Sequence, residues 1–367
     1  LTRIFIFIVL AVIGLLFGAF MAEYIDSIFT EATFGETIML LSGGFIALYI
    51  AIFLQIIIHE SGHLIFGKMT GYQFSSFRIG SLMWVKQDKT INFRRFSLAG
   101  TGGQCLMAPP DMKDGKIPYV LYNLGGSILN ILSVVVFFVL YLLTIDILFL
   151  SVLFLMMALI GVLFAVTNGI PMQLGTVNND GHNALSLGKN PEAMRAFWIQ
   201  LKVSEQNTKG VRIKDMPEEW FTIPSAESMK NRLVSAIAVF ACNRLMDAME
   251  FKKADQTMAE LLKTDTGIVG LHRSLLVVDR IYCELVSENR QGILDEMVNK
   301  NQKKFMKAMK NYPSVLRTEY AYALLSQKDI AQADKIKASF EKVATSYPYP
   351  QEIDGEREIM AFAEQIK

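Results

Sequence analysis

The chain has 367 residues, 52% of them hydrophobic, with 36 basic against 35 acidic side chains and a net charge of +1. So even a balance gives no electrostatic reason to expect a nucleic-acid partner. Three cysteines, Cys105, Cys242 and Cys283, show no paired or CxxC spacing. That excludes a disulfide framework and a thiolate metal site, and it fits a reduced compartment for the polar half.

The average composition hides two regimes. Residues 1 to about 187 are strongly apolar; from about 188 onward the chain is charged and helical in pattern. A helix rises ~1.5 Å per residue, so a ~30 Å hydrocarbon core needs ~20 apolar residues. Four stretches qualify. The first runs from about Ile4 to Ala22 behind Arg3. A signal peptide is the alternative there, but the apolar run is long for one, which favours an additional anchor. The second is uncharged from Thr37 to Ile58 and stays apolar to about Phe66. The third is uncharged from Ile117 to Ile145. The fourth starts at Ile147 and meets no charge until Asp180.

Loop charges orient these spans. Residues 23–36 carry Glu23, Asp26, Glu31 and Glu36 and no Lys or Arg, whereas residues 67–116 carry eight Lys and Arg. Basic loops stay in the cytoplasm. The expectation is an N-terminus inside, the acidic loop outside, and both the basic loop and the C-terminal region inside.

The second span ends in His59-Glu60-Ser61-Gly62-His63. On a helix, positions i and i+4 share a face, so His59 and His63 can offer two imidazole nitrogens to one metal ion. Glu60 is beside the first and can take the proton of an attacking water. Ionisable groups inside a membrane are costly and default to function. A polar patch bonding between helices is the plainer reading. Two ligands leave zinc one short of its usual three. The fourth span breaks at Asn168, Gly169 and Pro171, because Pro removes a backbone donor and clashes with the preceding turn. Asp180 is the first charge beyond the break and returns to the same side as the histidines. It is either a third ligand or a helix N-cap. His182 is a further ligand candidate, and a solvated one is the commoner case.

These residues resemble the site-2 protease family of intramembrane zinc metalloproteases. His59-Glu60-Ser61-Gly62-His63 is similar to its HExxH, implying His59 and His63 as zinc ligands and Glu60 as catalytic base. Asn168 and Pro171 with Asp180-Gly181 resemble its Asn/Pro segment ending in Asp-Gly, implying Asp180 as the third ligand. The stretch from Asn168 to Asp180 is about four residues longer than in the family. Gly126-Ser127-Ile128-Leu129-Asn130 resembles its Gly-x-x-x-Asn motif. The resemblance covers roughly residues 37–187. Asn130 and Asn168 are catalytic candidates, since an amide can donate to a substrate carbonyl or to the oxyanion that forms from it. Helix packing is the alternative for Gly126 and Asn130, and capping of the broken helix for Asn168.

Short β-type runs flank Gln87-Asp88-Lys89, which predicts a hairpin within residues 74–97. The Gly-rich, uncharged stretch after it could dip into the membrane. An exposed strand edge there could capture an unwound substrate by β-augmentation, and the resemblance implies a similar sheet. Pro191, Pro217 and Pro224 mark a linker. Beyond it, two segments align at Ala254 and Ala333 in a pattern resembling a degenerate tetratricopeptide helix pair; a plain helical bundle is the alternative.

The expected fold is therefore mainly α: a multi-pass membrane bundle of about four spans with a small β-hairpin region, plus a cytoplasmic tetratricopeptide-like helical domain. The expected domains are residues 1–36, N-terminal anchor and external loop; 37–187, metalloprotease core; 188–226, linker; and 227–367, helical domain. The expected function is an intramembrane zinc endopeptidase in the cell membrane, with its active site near the cytoplasmic side. Its substrate is a membrane protein or peptide, and the helical domain recruits it or a cytoplasmic partner. The alternatives are a membrane-anchored adaptor with a non-catalytic metal site and, more remotely, a metal transporter.

Overall fold

The computed structural model describes residues 33–87, 90–96, 101–174 and 177–366, with scattered positions between 11 and 22. The first expected span and the acidic loop lie almost wholly outside the described residues. Among the described residues, three helices are long and apolar enough to cross a membrane: α1 (Phe34–Met69), α2 (Val120–Leu143) and α3 (Leu148–Gly169). At ~1.5 Å per residue they reach roughly 54, 36 and 33 Å. The start of α1 is fixed by a capping box: Thr33 accepts from the Glu36 N–H, and the Glu36 carboxylate accepts from the Thr33 N–H.

The chain falls into two compact units. The first comprises residues 1–73, 100–105 and 118–189; the second comprises 74–99, 106–117 and 190–367. In the first unit, Ala47 and Ala51 of α1 pack on Val152, Met156, Met157 and Ile160 of α3. Large apolar side chains such as Phe45, Tyr49, Val135 and Leu143 stay exposed, as helices facing lipid require. Where α1 meets α2 the backbones nearly touch. A Cβ on Gly62 would lie 2.2 Å from the Gly125 carbonyl oxygen, so only glycine fits.

Strands β1 (Gln73–Ile79), β2 (Leu82–Gln87), β3 (Thr90–Arg95) and β4 (Gly103–Ala108) form a sheet in the order β3-β2-β1-β4. The predicted hairpin is β2 and β3, with Gln87 opposite Thr90. A second hairpin, β1 with β2, was not expected. Its two-residue turn starts at Gly80, whose φ of 57° suits glycine. Within the Gly-rich stretch, Gly103–Ala108 forms β4.

Most of the sheet belongs to the second unit, together with the C-terminal helices. Within that unit Phe96 meets Tyr347 edge to face at 5.7 Å, and Tyr349 hydrogen-bonds Ser76. The expected linker contains α5 (Pro191–Thr208) and two short 3₁₀ turns, with a third just beyond it at Ser228–Lys230. Pro191 starts this helix instead of breaking the chain. It sits in the first turn, where its missing N–H costs nothing, behind an Asn190 cap that accepts from the Ala193 N–H at 3.0 Å. Beyond a short α4 (Asp180–Ser186) and α5 come α6 (Arg232–Asp247), α7 (Phe251–Lys263), α8 (Gly270–Leu285), α9 (Gln291–Met297), α10 (Lys300–Ala308), α11 (Pro313–Ala321), a π-helical turn at Tyr322–Ser326, α12 (Ile330–Ala344) and α13 (Pro350–Gln365). Ala254 and Ala333 are both buried in this core, in α7 and α12.

Candidate metal centre

His59 and His63 lie one turn apart on the buried face of α1. Each donates through Nδ1 to an oxygen on α2. His63 Nδ1 is 2.8 Å from the Tyr122 carbonyl, which can only accept. His59 Nδ1 is 2.7 Å from Asn130 Oδ1. The orientation of that amide follows from its other end, where Asn130 Nδ2 donates to Gln55 Oε1 at 2.7 Å. Gln55 in turn donates to the Met157 carbonyl at 2.7 Å and to Ser133 at 3.1 Å. A chain of buried hydrogen bonds thus runs from the backbone of α3 to the imidazole of His59. With both Nδ1 atoms protonated, both Nε2 atoms present lone pairs.

Asp180 meets them from the far side of the break in α3. Asn179 makes this approach rigid. Its Nδ2 donates to the carbonyls of Thr167 at 2.8 Å and Ile170 at 2.6 Å, while its Oδ1 accepts from the N–H groups of Met172 and His182, both at 2.9 Å. One side chain therefore closes the end of α3 and caps α4. A Cβ on Gly181 would lie 2.1 Å from the Gly169 carbonyl oxygen, so glycine is needed for α4 to start this close. The longer stretch between Pro171 and Asp180 folds as a small hairpin, β5 (Gln173–Leu174) with β6 (Val177–Asn178).

Three acceptor atoms converge as a result. His59 Nε2 and His63 Nε2 are 3.2 Å apart, and Asp180 Oδ2 lies 3.2 and 3.4 Å from them. With no proton among them they repel, and a cation is what reconciles them. Zinc–ligand bonds of about 2.0–2.1 Å in a tetrahedron place neighbouring donors about 3.3–3.4 Å apart, so the spacing fits zinc. Among the described residues, His59, His63 and Asp180 form a group that could hold a metal ion.

Glu60 is buried beside the histidines and accepts a hydrogen bond from the Cys105 N–H in β4. A Cβ on Gly103 would lie 2.7 Å from the Glu60 carboxylate, so β4 approaches it as closely as glycine allows. Tyr122 ties the same strand down, its hydroxyl donating to the Cys105 carbonyl at 3.0 Å. Burial, with the Glu60 charge adding to it, pushes the Cys105 thiol up, so it stays protonated and inert. Gly126 lies under the His59 ring, where a Cβ would come within 2.5 Å.

Of the other sequence candidates, Asn168 donates to the Phe164 carbonyl at 3.0 Å, one turn back in its own helix. His182 meets Ser186. Sequence reasoning missed Gln55, Ser133, Gly103 and the bracing role of Asn179. A glutamine inside an apolar run was the one available signal for Gln55.

A buried HExxH helix, a carboxylate just beyond the broken end of another membrane helix and an adjacent glutamate are the arrangement that a membrane-embedded metallohydrolase would use. The profile of peptidase family M50, the site-2 protease family, matches residues 47–317, and the chain belongs to that family. Membership implies intramembrane metalloprotease activity, and the family's enzymes are zinc metalloproteases. No curated relative and no solved structure matches the chain.

Proposed function

We propose that this protein is an intramembrane zinc endopeptidase that hydrolyses a peptide bond within or next to a transmembrane segment of a membrane protein or peptide. The observation that carries the reading is the convergence of His59 Nε2, His63 Nε2 and Asp180 Oδ2 with Glu60 buried beside them. His59, His63 and Asp180 would hold the ion. Bound there, zinc supplies a Lewis acid that polarises the scissile carbonyl and acidifies a water. Glu60 takes the proton of that water as it attacks and delivers it to the leaving amine. Its hydrogen bond to β4 aims the carboxylate.

A helical substrate hides its amides, so it must unwind before it is cut. β4 ends the strand order and is paired on one side only among the described strands. A substrate strand added along β4 would lie next to Glu60, which favours β-augmentation as the capture step. Asn130 is committed at both ends of its amide to His59 and Gln55. That favours a positioning role over oxyanion binding. Asn168 stays a weaker candidate for contacting substrate. The basic loop and the polar C-terminal region favour a cytoplasmic side for the active site and for the helical unit, which we assign to recruitment or regulation.

Zinc content and cleavage measured together test the reading. Wild type should carry one zinc per chain, His59→Ala should lose it, and Glu60→Gln should keep it while losing cleavage. The adaptor reading predicts substoichiometric zinc and indifference to Glu60→Gln.

A further inference from the structure

The second unit carries a cavity of about 270 Å³ at the junction of α5, α6, α8, α11 and α13. That is just below the ~300–1,000 Å³ of ordinary small-molecule sites, so it suits a small metabolite and not a nucleotide or a helix. Its wall is charged. Arg212 and Arg317 face Asp247, Asp279, Glu352 and Glu356, two cations against four carboxylates.

Most of these groups are already committed. Arg212 is paired with Asp247 at 2.7 Å and with Glu358 at 2.6 Å. Glu352 accepts from Asn207 at 2.8 Å and from the Tyr347 hydroxyl at 2.9 Å. Arg317 is 1% exposed and held on three sides. It bonds Asp279 through Nη2, stacks over the Tyr282 ring at 4.6 Å, and lies 3.2 Å from Glu356 Oε2 through Nε.

One polar atom remains unsatisfied. Arg317 Nη1 has no hydrogen-bond partner although it is buried in the cavity wall, whereas Glu356 Oε2 has the 3.2 Å ion pair with Arg317 Nε. A fixed guanidinium N–H without an acceptor is costly unless something in the cavity completes it. The missing partner must offer an oxygen acceptor to Arg317. The surplus of carboxylates favours a ligand of net positive charge. We propose that this cavity is a binding site for a free basic amino acid, lysine or arginine, with its carboxylate on Arg317 Nη1 and an amino or guanidino group between Glu352 and Glu356.

The test is titration calorimetry of the full-length protein in detergent with L-lysine, L-arginine, L-leucine and L-glutamate at constant ionic strength. Saturable binding of lysine or arginine is expected, with leucine and glutamate at least tenfold weaker. Glu352→Gln and Glu356→Gln, near-isosteric changes outside the group proposed to hold zinc, should each weaken it tenfold or more. A circular-dichroism melt of each variant separates this from misfolding. No saturable binding of any of the four, meaning that water alone fills the cavity, would overturn the proposal. So would unchanged lysine affinity in both folded variants. Binding is read without proteolysis, so its failure leaves the reading of the membrane site intact.

Discussion

The amide of Asn130 and the imidazole of His59 share a 2.7 Å hydrogen bond that sets which nitrogen of the histidine faces the metal site. Asn130 can accept there because its amino end is held by Gln55. Removing such an outer partner typically costs 10–100-fold in metal affinity. Asn130→Ala should do so, and Gln55→Leu should approach it by letting the amide turn. Chelator competition measures both, and zinc affinity unchanged in both variants would refute a positioning role.

Gly126 should tolerate nothing larger. A Cβ there would lie 2.5–2.7 Å from three atoms of the His59 ring. Gly126→Ala must push the imidazole off its site or part α1 from α2, at a cost of roughly 1–3 kcal/mol for overpacking. Zinc content and thermal stability should fall together. Gly43, where a Cβ would meet its nearest neighbour at 3.9 Å, is the control and should accept alanine.

Asn179 should matter for the metal although it ligates nothing. Asn179→Ala removes the α4 cap, typically worth ~1 kcal/mol, and frees the broken end of α3. Zinc should bind more weakly through loosened placement of Asp180, while His59 and His63 remain in place. Retention of full zinc affinity would show that Asp180 is held by other means.

The cavity of the second unit should give the protein a pH-dependent stability. Burial pushes Glu352 and Glu356 up to about 7, with Asp247 adding to the shift of each; the Tyr347 hydrogen bond opposes it at Glu352 and Arg317 opposes it at Glu356. Asp279 on α8 and Arg212 ahead of α6 face the same space. A carboxylate whose folded pKa exceeds its unfolded value of about 4.5 binds its proton more tightly when folded. The stability contributed by these two groups is therefore fully present below about pH 4.5 and is lost as pH rises to about 7, by up to about 3 kcal/mol per group. Melting of wild type and of the Glu352→Gln/Glu356→Gln double variant between pH 5 and 8 checks this. The variant should lose less stability with rising pH, and parallel curves would contradict the account.

How much of this was legible in the sequence depends on whether a pattern is local. The three described spans could be read because length and absence of charge are properties of a continuous stretch. His59, Glu60 and His63 could be read because i and i+4 spacing fixes one helix face. Gln55 could not: a single polar residue in an apolar run gives no sign of which face it occupies, and its partners are 75 and more residues away. The grouping of the sheet with the C-terminal helices rests on contacts such as Phe96 with Tyr347, which no local pattern carries. Pro191 misled because proline both breaks helices and begins them. The surrounding Asn190 cap distinguishes the two cases. Arg317 and Glu356 look like surface charges on amphipathic helices until the helices are assembled.

The proteolytic reading of the membrane site turns on Glu60. Its most direct test compares the membrane proteomes of cells carrying wild-type protein and Glu60→Gln, by quantitative peptide mapping. One or a few membrane proteins should accumulate uncut only in the Glu60→Gln cells, with their missing cleavage inside or beside a transmembrane segment. Identical cleavage patterns in the two cell lines, with both proteins expressed and zinc-loaded, would contradict it.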